Sequence, residues 1–142
     1  MKLKVKRLNE KAKLPTRAYP DDAGFDLEAI NMSIVNEKDH GYIEYDTGIS
    51  VTPEKGYYCK IVPRSSISKT GLFLANSPAT IDPNYTGSIK LRFKWVPGSK
   101  KYEVGERIAQ LIVLPLPEVE IEEVTELEET VRAEKGFGSS GL

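Results

Sequence analysis

Apolar and polar residues alternate along most of this chain with a period of two, in short runs set apart by turn residues. Residues 3–8 (LKVKRL) pair apolar with charged positions, the mark of a strand with one wet face. Similar runs follow at 25–30, 32–35, 42–52, 56–62, 71–75, 88–96, 107–116 and 119–124, with Gly, Pro, Asn and Asp between them. Helical periodicity is nearly absent: 67–69 offers one turn at most, and 122–129 reads as an acidic, solvated connector. The pattern predicts an all-β barrel or sandwich of short strands, reached through a loop over 10–22 that contains Pro15 and Pro20.

A length of 142 residues suits one domain with its own core. The net charge of -1 supplies no basic stripe, which argues against nucleic-acid binding and leaves a single nucleotide open. Cys59 is the only cysteine and His40 the only histidine, so neither an intrachain disulfide nor a usual zinc site is expected. Cys59 falls in a strand-like run and reads as a buried thiol; His40 reads as a solvated turn residue. Without a usable histidine, a Ser-His-Asp triad is also disfavoured. No apolar run approaches the roughly 20 residues of a membrane span, and the N-terminus lacks a signal-peptide core. A soluble, cytoplasmic protein without a membrane partner is expected.

The chemistry gathers in a few segments. Residues 76–91 (NSPATIDPNYTGSIKL) read as a hairpin whose turn explains Pro83, Asn84 and Gly87. Asp82 and Tyr85 are left over, and they suit a carboxylate and a ring held over a pocket. The plainer reading has Asp82 capping the turn and Tyr85 packing on the rim. Arg64, Ser65 and Ser66 end one strand at the start of a short helical turn, an arrangement suited to phosphate and equally to simple helix capping. Gln110 places an amide in an apolar run, where a partner must be found because an unpaired buried amide costs about 1–3 kcal/mol. Glu106 and Arg107 read as a structural ion pair. Asp26, in AGFDL, either caps its loop or binds Mg2+ through water while substrate phosphates supply the remaining ligands. Neither a P-loop nor a GxGxxG fingerprint is present.

Residues 132–142 (RAEKGFGSSGL) cannot form a regular element and are expected to be a mobile arm beyond a domain spanning 1–131. Glycine-rich backbone there suits an anion, with Phe137 as a lid and Arg132 adding a guanidinium.

AGFDL, PRSSISKTGL, NSPATIDPNYTGSIKL, GERIAQLI and RAEKGFGSSG stand in one order. That series resembles the trimeric dUTPase family, whose five motifs have this order and similar spacing. The resemblance implies a distorted jelly-roll or β-clip subunit and a homotrimer whose active sites are each assembled from all three chains, with the arm crossing to a neighbour. It implies Mg2+-assisted hydrolysis of dUTP to dUMP and pyrophosphate, which keeps uracil out of DNA and supplies dUMP for thymidylate synthesis.

Carried over, Asp82 is the general base and Asp26 holds a water of the Mg2+ shell. Arg64, Ser65, Ser66 and Gln110 bind the phosphate chain. Asn76 and the backbone from Thr80 through Ile81 to Asp82 read the uracil edge, with Lys90 nearby. Tyr85 lies against the deoxyribose; Arg132, Gly138 and Ser139 clamp the γ-phosphate, and Phe137 stacks on uracil. The sequence departs from the family at Ser66 and Ala79, where Gly is usual, at Asn84, where an acid is common, and at Ala133-Glu134-Lys135, which replaces a more glycine-rich run. Two other readings fit the resemblance: a relative of the dCTP deaminases, whose chains are usually longer, and a dUTP-responsive protein that regulates a protein partner. A pure sensor is expected to lack the base that Asp82 supplies.

Overall fold

The computed structural model describes residues 1–38, 40–136 and 139–141. Among the described residues there are ten strands: β1 (Lys4–Arg7), β2 (Phe25–Glu28), β3 (Asn31–Val35), β4 (Tyr42–Asp46), β5 (Ile49–Thr52), β6 (Tyr57–Pro63), β7 (Leu72–Leu74), β8 (Ala79–Ile81), β9 (Lys90–Trp95) and β10 (Arg107–Pro115). One 3-10 turn, Ser65–Lys69, follows β6. The fold is all-β, as the period-two pattern requires.

The strands form three antiparallel sheets, in the orders β1-β5, β2-β10-β6-β8 and β3-β4-β9-β7. The inward side chains of all three meet in one core containing Leu27, Ile43, Ile49, Ile61, Leu91 and Leu111. Tyr45, Phe93 and Tyr102 pack edge-to-face within it, with centroids 5.5–6.4 Å apart. The buried Tyr45 hydroxyl donates to the Tyr102 carbonyl at 2.8 Å. Cys59 is fully buried and His40 is exposed, both as the sequence predicts.

Three expectations are corrected. The run at 42–52 divides into β4 and β5 because Gly48 takes a positive φ of 66° and its N–H bonds the Asp46 carboxylate at 2.8 Å, turning the chain from one sheet into another. Residues 76–91 do not make a hairpin: β8 pairs with β6, whereas β9 pairs with β4 and β7. The segment therefore bridges two sheets. The strand expected at 119–124 is absent, and its side chains are exposed, Ile121 at 93%. Alternation supplied a face there, but among the described residues no neighbouring strand takes up its backbone groups. Among the described residues, no helix is long and apolar enough to cross a membrane.

Candidate active site

A polar cluster around the buried Asp26 is built on β2, β10 and the residue that follows β6. Gln110 on β10 stands opposite Asp26 on β2 and Val62 on β6, so the middle strand places its amide beside the aspartate and near the end of β6. Asp26 is 6% exposed. Its Oδ1 accepts from Arg64 Nε at 2.8 Å and from Gln110 Nε2 at 3.4 Å, and its Oδ2 accepts from Arg107 Nη1 at 3.2 Å. The loop over 10–22 is tied to the same residue by backbone bonds in both directions between Thr16 and Asp26, and Arg17 lies 4.1 Å over the Phe25 ring.

Two guanidiniums around one carboxylate leave the cluster with a net positive charge, the balance an anion requires. Arg64 and Arg107 line an open cavity of about 380 Å³ together with Ser66, Lys69, Lys100 and Tyr102, four cations in all against two acids on the same wall, Glu28 and Glu106. Ser66 Oγ lies 3.4 Å from Arg64 Nη1 and 3.3 Å from the Tyr102 hydroxyl. The serines do not cap the 3-10 turn: Arg64 holds the N-cap position, and no side chain bonds there. The capping explanation of the serines is thus removed, and Ser65 is exposed.

A second, smaller pocket of about 180 Å³ gathers Thr80, Ile81, Asp82, Tyr85, Ser88, Ile89 and Lys90. Asp82 is exposed at its rim, and its carbonyl accepts from Tyr85 N–H at 3.0 Å, closing the Asp-Pro-Asn turn. The hydroxyl end of the Tyr85 ring lies close against Gly87, and the hydroxyl donates to the Ser88 carbonyl at 2.9 Å. Lys90 is steered by Glu44 at 3.6 Å and Asp46 at 4.0 Å. It also lines an adjoining cavity containing Asn76.

The two groups lie at opposite ends of β6. Ile81 stands opposite Cys59, so Asp82 follows toward Tyr58, whereas Arg64 leaves the far end after Pro63. Arg64 stands six positions after Tyr58, about 20 Å of extended chain.

A family model described as dUTPase matches residues 10–141. The chain belongs to the dUTPase family. Among its relatives, a deoxyuridine 5'-triphosphate nucleotidohydrolase from Clostridium tetani is 41% identical, covering 98% of this chain and 96% of the relative. One from Nautilia profundicola is 40% identical, covering 99% of both. The dUTPase of Staphylococcus bacteriophage 80alpha, in a mutant structure with dUpNHpp, superposes with a TM-score of 0.85 at 29% identity over 99% of both chains. The same phage dUTPase is described as controlling transfer of virulence genes by a G protein-like mechanism. A phage phi11 dUTPase mutant, described with a structural Mg(II) ion, shares the fold at a TM-score of 0.73 and 22% identity.

Of the residues that the dUTPase motifs single out, Asp26, Arg64, Ser66 and Gln110 meet in the first group, and Thr80, Ile81, Asp82, Tyr85 and Lys90 in the second. Arg132 and Ser139 join neither: Arg132 donates to the Lys135 carbonyl at 3.0 Å, and Ser139 N–H to Gly136, within their own segment. Phe137 and Gly138 lie outside the described residues. Sequence reasoning missed Arg107, assigned there to Glu106; Glu106 instead accepts from the Glu103 N–H at 2.6 Å. It also missed Lys69 and Lys100 on the cavity wall.

Proposed function

We propose that this chain hydrolyses dUTP to dUMP and pyrophosphate in sites completed between three copies of itself. The observation that carries the reading is the separation of the two groups along β6. A base that must touch the α-phosphate cannot reach phosphates held about 20 Å away on the same chain. Closed symmetry lets one copy present its Asp82 pocket to another copy's Arg64 cluster. The jelly-roll description of the subunit belongs to the same reading.

Each group has a chemical task. Asp82 accepts the proton of a water that attacks the α-phosphorus, while the bond from that phosphorus to the bridging oxygen breaks and pyrophosphate leaves. Arg64, Ser65, Ser66 and Gln110 hold the phosphates in line, which is most of what phosphoryl transfer asks of a protein. Backbone groups of Thr80, Ile81 and Asp82, with Asn76 and Lys90 nearby, read the uracil edge; cytosine would set donor against donor there. Tyr85, held by Ser88, fills the space a 2′-hydroxyl would need. Residues 1–131 act as the β-domain and 132–142 as an arm that closes a neighbour's site, with Arg132, Gly138 and Ser139 on the γ-phosphate and Phe137 on the base.

Asp26 fits an outer-shell role toward Mg2+. A carboxylate offers about four lone-pair sites, and three donors occupy them here, leaving room for one metal-bound water. Among the described residues, no group of three acidic or His/Cys side chains forms a cage; in this reading the substrate phosphates provide the direct ligands. When bound, Mg2+ neutralises charge on the triphosphate. A regulatory protein partner is an added role, supported only by the description of the phage relative.

Pyrophosphate release from each deoxynucleoside triphosphate with Mg2+ tests the activity. Release from dUTP alone is expected. Ammonia from dCTP with no release from dUTP would overturn the reading in favour of a deaminase, and silence with every nucleotide would leave only a nucleotide-binding role.

A further inference from the structure

Arg107 and Gln110 are three positions apart on β10, and on a regular strand side chains three apart point to opposite faces. Both nevertheless reach the same carboxylate, at Oδ2 and Oδ1 of Asp26. The register against β2 explains how: Arg107 pairs with Glu28 and Ala109 with Leu27, so Ile108 is an extra residue on β10. This is a β-bulge, a device that re-aims a side chain and is frequent beside active sites. Ile108 and Ala109, the two residues at the register shift, are both fully buried. Arg107 emerges with its side chain 52% exposed, its Nη1 on Asp26 and its flank on the cavity shared with Arg64.

We propose that Arg107 is a positioning residue for dUTP hydrolysis, swung onto the phosphate-binding face by the Ile108 bulge to fix the Asp26 carboxylate and, through it, the Arg64 guanidinium. The inference rests on the reading of the Asp26 cluster as the phosphate site. The physical need is specific. Arg64 Nε and Gln110 Nε2 both bond the same oxygen of Asp26, and a carboxylate held on one oxygen alone can turn about its terminal torsion, which is broad and weakly restrained. Arg107 takes the other oxygen and removes that freedom. Its loss would leave Arg64 charged and able to attract the triphosphate, but aimed less well, and small misplacements of positioning groups cost up to about a hundredfold in rate.

The test is a double-mutant cycle on the full chain with dUTP and Mg2+, reading kcat and KM separately. Arg107→Gln is expected to lower kcat about ten- to a hundredfold with KM within about threefold. Arg107→Lys, which keeps one charged donor, should regain part of the loss and carries the test if the glutamine variant does not fold. In an Asp26→Asn background, Arg107→Gln should cost little more, because the two act as one unit. Losses that add independently, or a rise in KM and in the pyrophosphate inhibition constant with kcat unchanged, would overturn the inference by making Arg107 an independent phosphate ligand. Full activity of Arg107→Gln beside a crippled Asp26→Asn would overturn this inference alone; full activity of Asp26→Asn would sink the reading of the cluster itself.

Discussion

Gly24 lies directly against Gln110: a Cβ at position 24 would stand 3.0 Å from Gln110 Cβ and 3.1 Å from its Cδ. The glycine before β2 is therefore there for close approach, and it lets the neighbouring strand carry a long amide up to Asp26. No positive φ is involved at this position, so alanine is compatible with the backbone. Gly24→Ala should leave stability within about 1 kcal/mol of the parent, because alanine also restricts the unfolded chain. Turnover of dUTP should nonetheless fall several-fold as the amide is displaced. Thermal unfolding and kcat on the same preparation check this, and a variant with parental kcat would show that Gln110 can move without consequence.

Gly87 plays the same part for Tyr85. A Cβ there would collide with the Tyr85 hydroxyl oxygen and stand 2.6 Å from the ring carbon that bears it, so Gly87→Ala must swing the ring off its seat. If the ring excludes a 2′-hydroxyl, the preference for dUTP over UTP should fall by roughly tenfold to a hundredfold in kcat/KM. Tyr85→Phe loses only the bond to the Ser88 carbonyl and should keep most of the preference. An unchanged ratio in Gly87→Ala would remove Tyr85 from sugar selection.

Two buried groups make stability fall at alkaline pH. Burial pushes the Cys59 thiol up to about 11, and burial likewise raises the Tyr45 phenol to about 12. Both stay protonated in the native chain at pH values where the unfolded chain has released its protons, so stability falls as pH rises. The Cys59 share is whole below pH 9 and lost toward 11; that of Tyr45 is whole below 10 and lost toward 12. Each can steepen the decline by up to about 1.4 kcal/mol per pH unit. Urea unfolding at several pH values should show the decline beginning near 9, and Cys59→Val should delay it to near 10. Identical profiles for the two proteins would contradict the assignment to Cys59.

The fold class was legible because period-two alternation is strong in β4, β6, β9 and β10, where one face is buried. What alternation cannot reveal is which strands pair. Residues 76–91 carry hairpin turn chemistry, yet their flanking strands belong to different sheets. Residues 119–124 show the complementary failure, alternating well without a partner strand among the described residues. At the site, Asp26, Arg64 and Gln110 stood out as polar residues beside apolar runs. Arg107 did not, because its role depends on a bulge, whose one sequence trace is the consecutive apolar pair Ile108-Ala109.

The account stands on Asp82 and Arg64 acting from different chains, and subunit mixing tests this most directly. Asp82→Asn alone should lose roughly 10²–10⁴-fold in kcat with little change in KM, the usual worth of a general base, and Arg64→Ala alone should be crippled by loss of a phosphate contact. Unfolded together in equal amounts and refolded, the two should regain about a quarter of wild-type activity, since random assembly pairs an intact Asp82 with an intact Arg64 in about one site in four. Activity that stays at the level of the separate variants would contradict a site shared between chains and require Asp82 and Arg64 to serve one substrate within a single copy.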